Sequence, residues 1–311
     1  MLTDTMKNIV EDTRSLHNQF EEEIVPYKQD LWNYCRYVTG SPWEGEDLFQ
    51  ETLLKAFAML PQIWQPLNTK AYLFRIATNR WIDECRKRKR AVEDESDKYE
   101  PDLQASQAFN IREALEVLVH HLTPKQVTTL LLMDVFQFKA AEIANMVHST
   151  EGAVYGIVHR ARRKLQTVGT YEKAHHTTED ISPHSEVVDA YLDAFNRRDI
   201  EQMLQLTSDT IHMEVSPGFQ EFSKGDVEKG SMQAGIMGKQ ALRKNLWGKE
   251  IIIVLAKTEH GLQLHDVQFQ DVVDGKIVRH KSYFFCRELL TAIADKLEIQ
   301  LQRNKPPVNW E

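Results

Sequence analysis

At 311 residues the chain has room for two or three domains of ordinary size, each able to bury a core. It is 42% hydrophobic and 27% charged, and no apolar run reaches the roughly 18 residues of a membrane span, which excludes an integral helical membrane protein. The net charge of −8 opposes nucleic-acid binding by the chain as a whole, yet residues 70–90 hold eight Lys or Arg against two Asp or Glu, after a segment (1–69) holding five against eleven. Phosphate recognition depends on local charge, so that basic block keeps a nucleic-acid partner open.

Residues 10–90 read as helical throughout. Phe20, Ile24, Tyr27, Leu31, Tyr34 and Val38 recur at spacings of three and four, the period of an amphipathic helix that Gly40 closes. Ser41-Pro42-Trp43-Glu44 then reads as a helix start: Ser at the N-cap, Pro at the first turn, Glu three residues after the Ser. That helix runs to about Leu60. Pro61 and Pro66 bracket a loop with Trp64, and a third helix spans about Thr69 to Arg90. Residues 91–108 are acidic and without apolar period, a linker. Residues 109–168 form a second helical unit: Ile111, Leu115, Leu118 and Leu122 mark one helix, Thr123-Pro124-Lys125-Gln126 caps the next, and Lys139–Val147 and Thr150–Gln166 follow. On the last helix Val154, Val158, Ala161 and Leu165 share an inner face, and basic residues point elsewhere, the pattern of a helix-turn-helix. Residues 169–183 form a second linker. In residues 184–300 two helices (about 184–197 and 199–206) precede strand-like runs at Thr210–Val215, Glu250–Thr258, Gln263–Val273 and Lys276–Arg287, with Asp274-Gly275 as a hairpin turn and a closing helix at about 288–299. This predicts an α+β unit, a curved antiparallel sheet with helices on one face, followed by a tail at 301–311. Met1 to Asn8 shows no leader pattern, and Cys35, Cys85 and Cys286 are odd in number and far apart, so free thiols in a reducing cytoplasm are expected.

The first and third segments resemble the two domains of bacterial extracytoplasmic-function sigma factors of the sigma-70 family. Asp47-Leu48-Phe49-Gln50-Glu51-Thr52-Leu53-Leu54-Lys55-Ala56-Phe57 resembles that family's polymerase-binding helix. Ala71 through Asp83 (AYLFRIATNRWID) resembles its −10 promoter helix, with an Arg/Lys run after it. Glu142-Ile143-Ala144 through His159-Arg160-Ala161-Arg162-Arg163-Lys164-Leu165 resembles its −35 helix-turn-helix. Residues 184–300 resemble SnoaL-like (nuclear transport factor 2-like) domains through Val187 to Asn196 with Asp199, and Val273 to Arg279 with Tyr283-Phe284. The resemblance implies a multidomain chain: two all-α sigma domains (a helical bundle at 10–90 and a helix-turn-helix at 109–168) plus a cone-shaped α+β SnoaL-like domain at 184–300. It implies a non-enzymatic transcription initiation factor that binds core RNA polymerase and promoter DNA. The C-terminal domain would tune it in cis, through intramolecular contact with the sigma domains. No cofactor, metal or membrane partner is implied.

Opening a promoter takes aromatic platforms for unstacked bases and cations for the backbone. Tyr72, Arg75 and Asn79 share a helix face, with Arg80 beside them; Trp64 precedes them and Arg86, Lys87 and Arg88 follow. By spacing alone Trp64 and Tyr72 read equally as core residues, and the resemblance assigns them to the −10 element. Glu46, Asp47, Gln50 and Glu51 make an acidic face suited to an Arg-rich surface, by resemblance the coiled coil of the polymerase's largest subunit. At the −35 unit the contacts are Thr150, Glu151, Tyr155 and His159, with Arg160, Arg162, Arg163 and Lys164 for phosphates. Tyr155, Gly156 and Ile157 stand where the family carries Lys, Ser and Arg, so either the −35 element is unusual or the −10 contact dominates. In the C-terminal domain His212, Glu214, His265 and Asp266 are the acid/base candidates for the alternative, a SnoaL-like small-molecule enzyme or ligand sensor tethered to a DNA-binding module.

Overall fold

The computed structural model describes residues 4–62, 68–94, 121–167, 185–232 and 237–305. It divides into two compact units, Met1–Ala174 and His175–Glu311. Trp64, the helix marked by Ile111, Leu115 and Leu118, and both linkers lie almost wholly outside the described residues.

In the first unit α1 (Asp4–Thr39), α2 (Pro42–Met59) and α3 (Thr69–Asp94) pack on one another. The apolar period of α1 is its buried face: Phe20, Ile24, Leu31, Tyr34 and Val38 are all buried. Gly40 ends the helix at φ 70, and the Glu44 amide donates to the Ser41 hydroxyl at 3.4 Å, as the capping pattern predicts. Gly45 lets α1 and α2 approach closely, since a β-carbon there would lie 2.6 Å from the Arg36 Cα. Next come α4 (Pro124–Asp134), α5 (Ala140–Met146) and α6 (Glu151–Thr167). Thr123 and Gln126 form a reciprocal capping box on α4. His148, at φ 49, turns the chain between α5 and α6, and the Ala153 amide donates to the Thr150 hydroxyl to start α6. The α4–α5 turn plugs into the first three helices: Phe136 lies 5.5 Å from Tyr34 and 5.1 Å from Phe74, and Phe138 lies 5.0 Å from Phe74, ring to ring.

The second unit opens with α7 (Ser185–Arg197) and α8 (Ile200–Leu206). Then follow β1 (Thr207–Val215), β2 (Phe219–Glu221), α9 (Lys224–Lys229), β3 (Lys239–Leu246), β4 (Lys249–Thr258), β5 (Gly261–Val273), β6 (Lys276–Ser282) and α10 (Arg287–Leu297). The strands form one sheet in the order β2-β1-β6-β5-β4-β3. Asp274 and Gly275, both at positive φ, turn β5 into β6 as expected. Two expectations change. The sheet is mixed, because β1 pairs parallel with β6, a non-local pairing without a local signal. Helices do not sit on one face alone: every residue from Ile251 to Ala256 is buried, so both faces of β4 are covered, and α10 packs against β5. The main core joins Tyr191, Phe195 and Met203 to Ile211, Ile252, Val254 and Ile277. The last predicted strand stops at Ser282, and Arg287 begins α10.

Candidate polymerase and nucleic-acid interface

On α2 the four acidic-face residues part company. Asp47 and Glu51 are exposed and Gln50 is half-buried. Glu46 is fully buried: its carboxylate accepts from the Trp32 indole N–H at 2.7 Å and from Gln50 Nε2 at 2.6 Å. This corrects its placing on the partner face. A buried charge needs hydrogen-bond partners, and Glu46 spends its oxygens on a tie between α1 and α2.

On α3 a similar correction applies. Tyr72 is buried, and its hydroxyl donates to the Ala56 carbonyl at 2.9 Å, fastening α3 to α2. It is a core residue and offers no platform to a base. Arg75, Arg86, Lys87 and Arg88 are exposed, and Asn79 and Arg80 are half-buried. Arg75 and Asn79 therefore stay on one face and Tyr72 leaves it. Several cations already have carboxylate partners. Arg80 Nε donates to Glu51 at 2.6 Å, and this hydrogen bond is the main reason its guanidinium pKa is raised. Arg88 reaches Glu44 at 3.1 Å and Glu84 at 3.3 Å and lies over Trp81; Arg86 reaches Asp83 at 3.0 Å. The sequence reading missed Glu44, because a pairing 44 residues apart leaves no local signal.

On α6 the inner face is Val154, Ile157, Val158 and Ala161, all buried. All eight residues expected to meet DNA (Thr150, Glu151, Tyr155, His159, Arg160, Arg162, Arg163 and Lys164) are exposed. Ile157 is a core position here, so of the three departures from the family pattern only Tyr155, 60% exposed, and Gly156 reach the outer face. Arg162 forms a forked pair with Asp134 at the end of α4, at 3.1 and 2.6 Å.

In the second unit the four acid/base candidates stay apart; among the described residues no hydrogen bond or ion pair joins any two of them. His212 stacks on Phe222. Glu214 accepts from Ser216 at 2.7 Å and pairs with Arg279 and Lys281. Burial pushes its carboxyl up, but Ser216 and the two cations outweigh that and hold it below the ordinary range. The His265 imidazole is pushed down to about 4 by burial and meets Gln302 at 2.6 Å. Asp266 is buried and accepts from Gln268, Ser282 and the Val267 amide; burial raises its carboxyl above the ordinary value. Residues 300–302 run beside β5 through Leu264 N–H to Gln300 and Gln302 N–H to Leu264, and the Lys305 ammonium lies 4.0 Å over the Phe284 ring. Among the described residues no cluster of His, Cys, Asp and Glu is placed to hold a metal, and no helix is long and apolar enough to cross a membrane.

Comparison with known proteins places this geometry. Residues 24–91 match the family model described as Sigma-70 region 2, and residues 112–165 the model described as Sigma-70, region 4. The ECF RNA polymerase sigma factor SigG of Mycobacterium tuberculosis is 29% identical over 227 residues, covering 64% of this chain and 61% of that protein. The chain thus spans about three-fifths of that relative's length. The ECF RNA polymerase sigma factor EcfG of Rhodopseudomonas palustris is 28% identical over 175 residues, covering 55% and 94%. The crystal structure of the Mycobacterium tuberculosis extracytoplasmic function sigma factor SigJ aligns over 84% of this chain and 95% of its own at 18% identity and a TM-score of 0.34.

Proposed function

We propose that this chain, a member of the sigma-70 family through its region 2 and region 4, is a cytoplasmic transcription initiation factor that binds core RNA polymerase and directs it to specific promoters. In this reading the exposed residues of α2, Asp47, Gln50 and Glu51, dock on a cationic polymerase surface. Arg75, Asn79, Arg80, Arg86, Lys87 and Arg88 engage the −10 element, with Trp64 assigned there by resemblance. The outer face of α6 takes the −35 element. The observation that carries the reading is the pairing, in one compact unit, of an acidic docking helix against a basic helix, beside a helix-turn-helix whose eight candidate contacts are all exposed. The C-terminal α+β domain modulates activity in cis through contact with the sigma domains and performs no chemistry, since Glu214, His265 and Asp266 each spend their polar atoms on separate structural partners.

The test is transcription from fragmented bacterial genomic DNA by core polymerase, with the full chain or with the chain ending before residue 175, followed by sequencing of transcript starts. A shared upstream motif supports the reading. No defined starts with either protein would refute it. A different output from the two proteins supports regulation in cis, and identical outputs remove it. A ligand-sensing role for the second unit is the alternative. Its support is the polar group of Asp266, Gln268 and Ser282 inside the sheet, and it predicts that a small-molecule extract changes the full chain's output but not the truncated one's.

A further inference from the structure

We infer that the ion pairs between α2 and α3 couple the two binding events, so that engaging polymerase on α2 releases cations on α3 for nucleic acid. The inference rests on the functional reading above. Two pairs span the helices: Glu51 with Arg80 at 2.6 Å and Glu44 with Arg88 at 3.1 Å. Glu51 belongs to the face offered to polymerase, and Arg80 and Arg88 belong to the stretch offered to the −10 element. One carboxylate therefore serves as partner for two competing cations, and one guanidinium for two competing anions.

The exchange balances. Before binding, Glu51 holds Arg80. Afterwards Glu51 holds a cation of the polymerase surface and Arg80 holds a phosphate. No charge is stranded, and the number of ion pairs rises by one. The pairs are suited to exchange because their side chains are about half exposed, between 41% and 53% for all four, so they open without unpacking the helices. Neither is a local contact along one helix, since 29 and 44 residues separate the partners. Linkage then makes the effect reciprocal: whatever factor polymerase adds to nucleic-acid affinity, nucleic acid adds to polymerase affinity. Exposed pairs are weak, so each accounts for a change of about two- to fivefold, and the two together for about tenfold.

The test uses the full chain and a fluorescein-labelled single-stranded oligonucleotide of mixed sequence, read by anisotropy across a salt series. Glu51→Gln removes the competing charge and is expected to tighten binding about two- to fivefold. It should also steepen the plot of log affinity against log salt by about 0.7, the value of one extra phosphate contact on a single strand. Glu44→Gln is expected to do the same through Arg88, at a carboxylate not assigned to the polymerase face. Each gain should vanish when the partner is also changed, in Glu51→Gln/Arg80→Gln and Glu44→Gln/Arg88→Gln. With saturating core polymerase the Glu51→Gln gain should disappear, because polymerase has already taken Glu51. Unchanged affinity and slope in both single variants would overturn the inference. So would a gain that survives loss of the arginine, which would reflect only the lost negative charge. Transcription by the wild-type chain is scored separately: if it fails, the functional reading falls, whereas working transcription with a failed charge cycle removes the exchange alone.

Discussion

Glu46 and Asp47 are neighbours with opposite fates, and substituting them separates folding from docking. The Glu46 carboxylate accepts two short hydrogen bonds in a fully buried site. In Glu46→Gln the new amide still accepts from Trp32 through its oxygen, but its NH2 faces the NH2 of Gln50, donor against donor. Losing one bond to a charged acceptor costs about 2 kcal/mol. A unit of this size shifts by about 2–4 °C per kcal/mol, so its melting midpoint should fall by about 4–8 °C. Glu46→Ala removes both acceptors and leaves the Trp32 N–H buried without a partner, for about 4 kcal/mol. Two units can melt separately, so the signal must report the first, and the near-UV dichroism of buried Trp32 and Trp43 does that. Asp47→Lys, at an exposed position, should stay within about 0.5 kcal/mol of the wild type yet bind core polymerase at least tenfold more weakly. The reverse outcome, an unchanged midpoint for Glu46→Ala with lost polymerase binding, would refute the assignment of Glu46 to the core.

Tyr72→Phe should cost about 1 kcal/mol in urea unfolding, through the lost bond to the Ala56 carbonyl, with oligonucleotide affinity unchanged; weaker binding without destabilisation would restore Tyr72 as a base contact. Phe136→Ala with Phe138→Ala should loosen α4–α6 from α1–α3, seen as faster amide exchange at Leu73 and Phe74 while α6 stays protected; unchanged exchange would show that the plug carries no cohesion. Acid should weaken the second unit. His265 and His280 are both held down to about 4 by burial against an unfolded value near 6.5, so between those values the unfolded chain binds more protons and stability falls with pH. Between pH 7 and pH 5 the two together remove about 3–4 kcal/mol, and His280→Gln should roughly halve the loss measured by urea unfolding. Asp266, raised by burial, works in the opposite direction, so a loss larger than the histidines supply would contradict the balance.

The elements that sequence revealed are those with local causes. The Ser41 and Thr123 caps, the Gly40 stop, the Asp274-Gly275 turn and the period of α1 each depend on residues within a few positions, and each appears where expected. What escaped depends on distant partners. Glu46 and Tyr72 look like surface chemistry in one dimension, and only the approach of Trp32 and Ala56 makes them core. β3 was passed over because Lys239–Leu246 buries only Ala241 and Leu246; its edge is held instead by Asn196, which bonds both the N–H and the carbonyl of Ala241 at 2.8 and 2.9 Å. The departures at Tyr155, Gly156 and Ile157 were weighed as three lost contacts. Burial of Ile157 reduces them to two, which leaves the outer face of α6 closer to the family pattern than its letters suggest.

A net charge of −8 on a chain offered as a promoter reader is consistent once the ion pairs are counted by position. Arg80, Arg86, Arg88 and Arg162 each sit against a carboxylate, whereas Arg75, Lys87, Arg160 and Arg163 make no ion pair among the described residues. Non-specific affinity scales with the number of phosphates that cations neutralise, and a guanidinium held by a carboxylate contributes less to that number. The paired arginines thus lower the grip of the isolated chain on arbitrary DNA, where a specificity factor gains nothing from binding. Their carboxylate partners are of two kinds. Asp83 and Glu84 lie on α3 itself, and Asp134 on α4, where no polymerase contact is assigned. Glu44 and Glu51 lie on α2, where a partner can draw them away. On this arrangement promoter affinity at the −10 helix depends on the polymerase being present, while the −35 helix keeps most of its cations from the start.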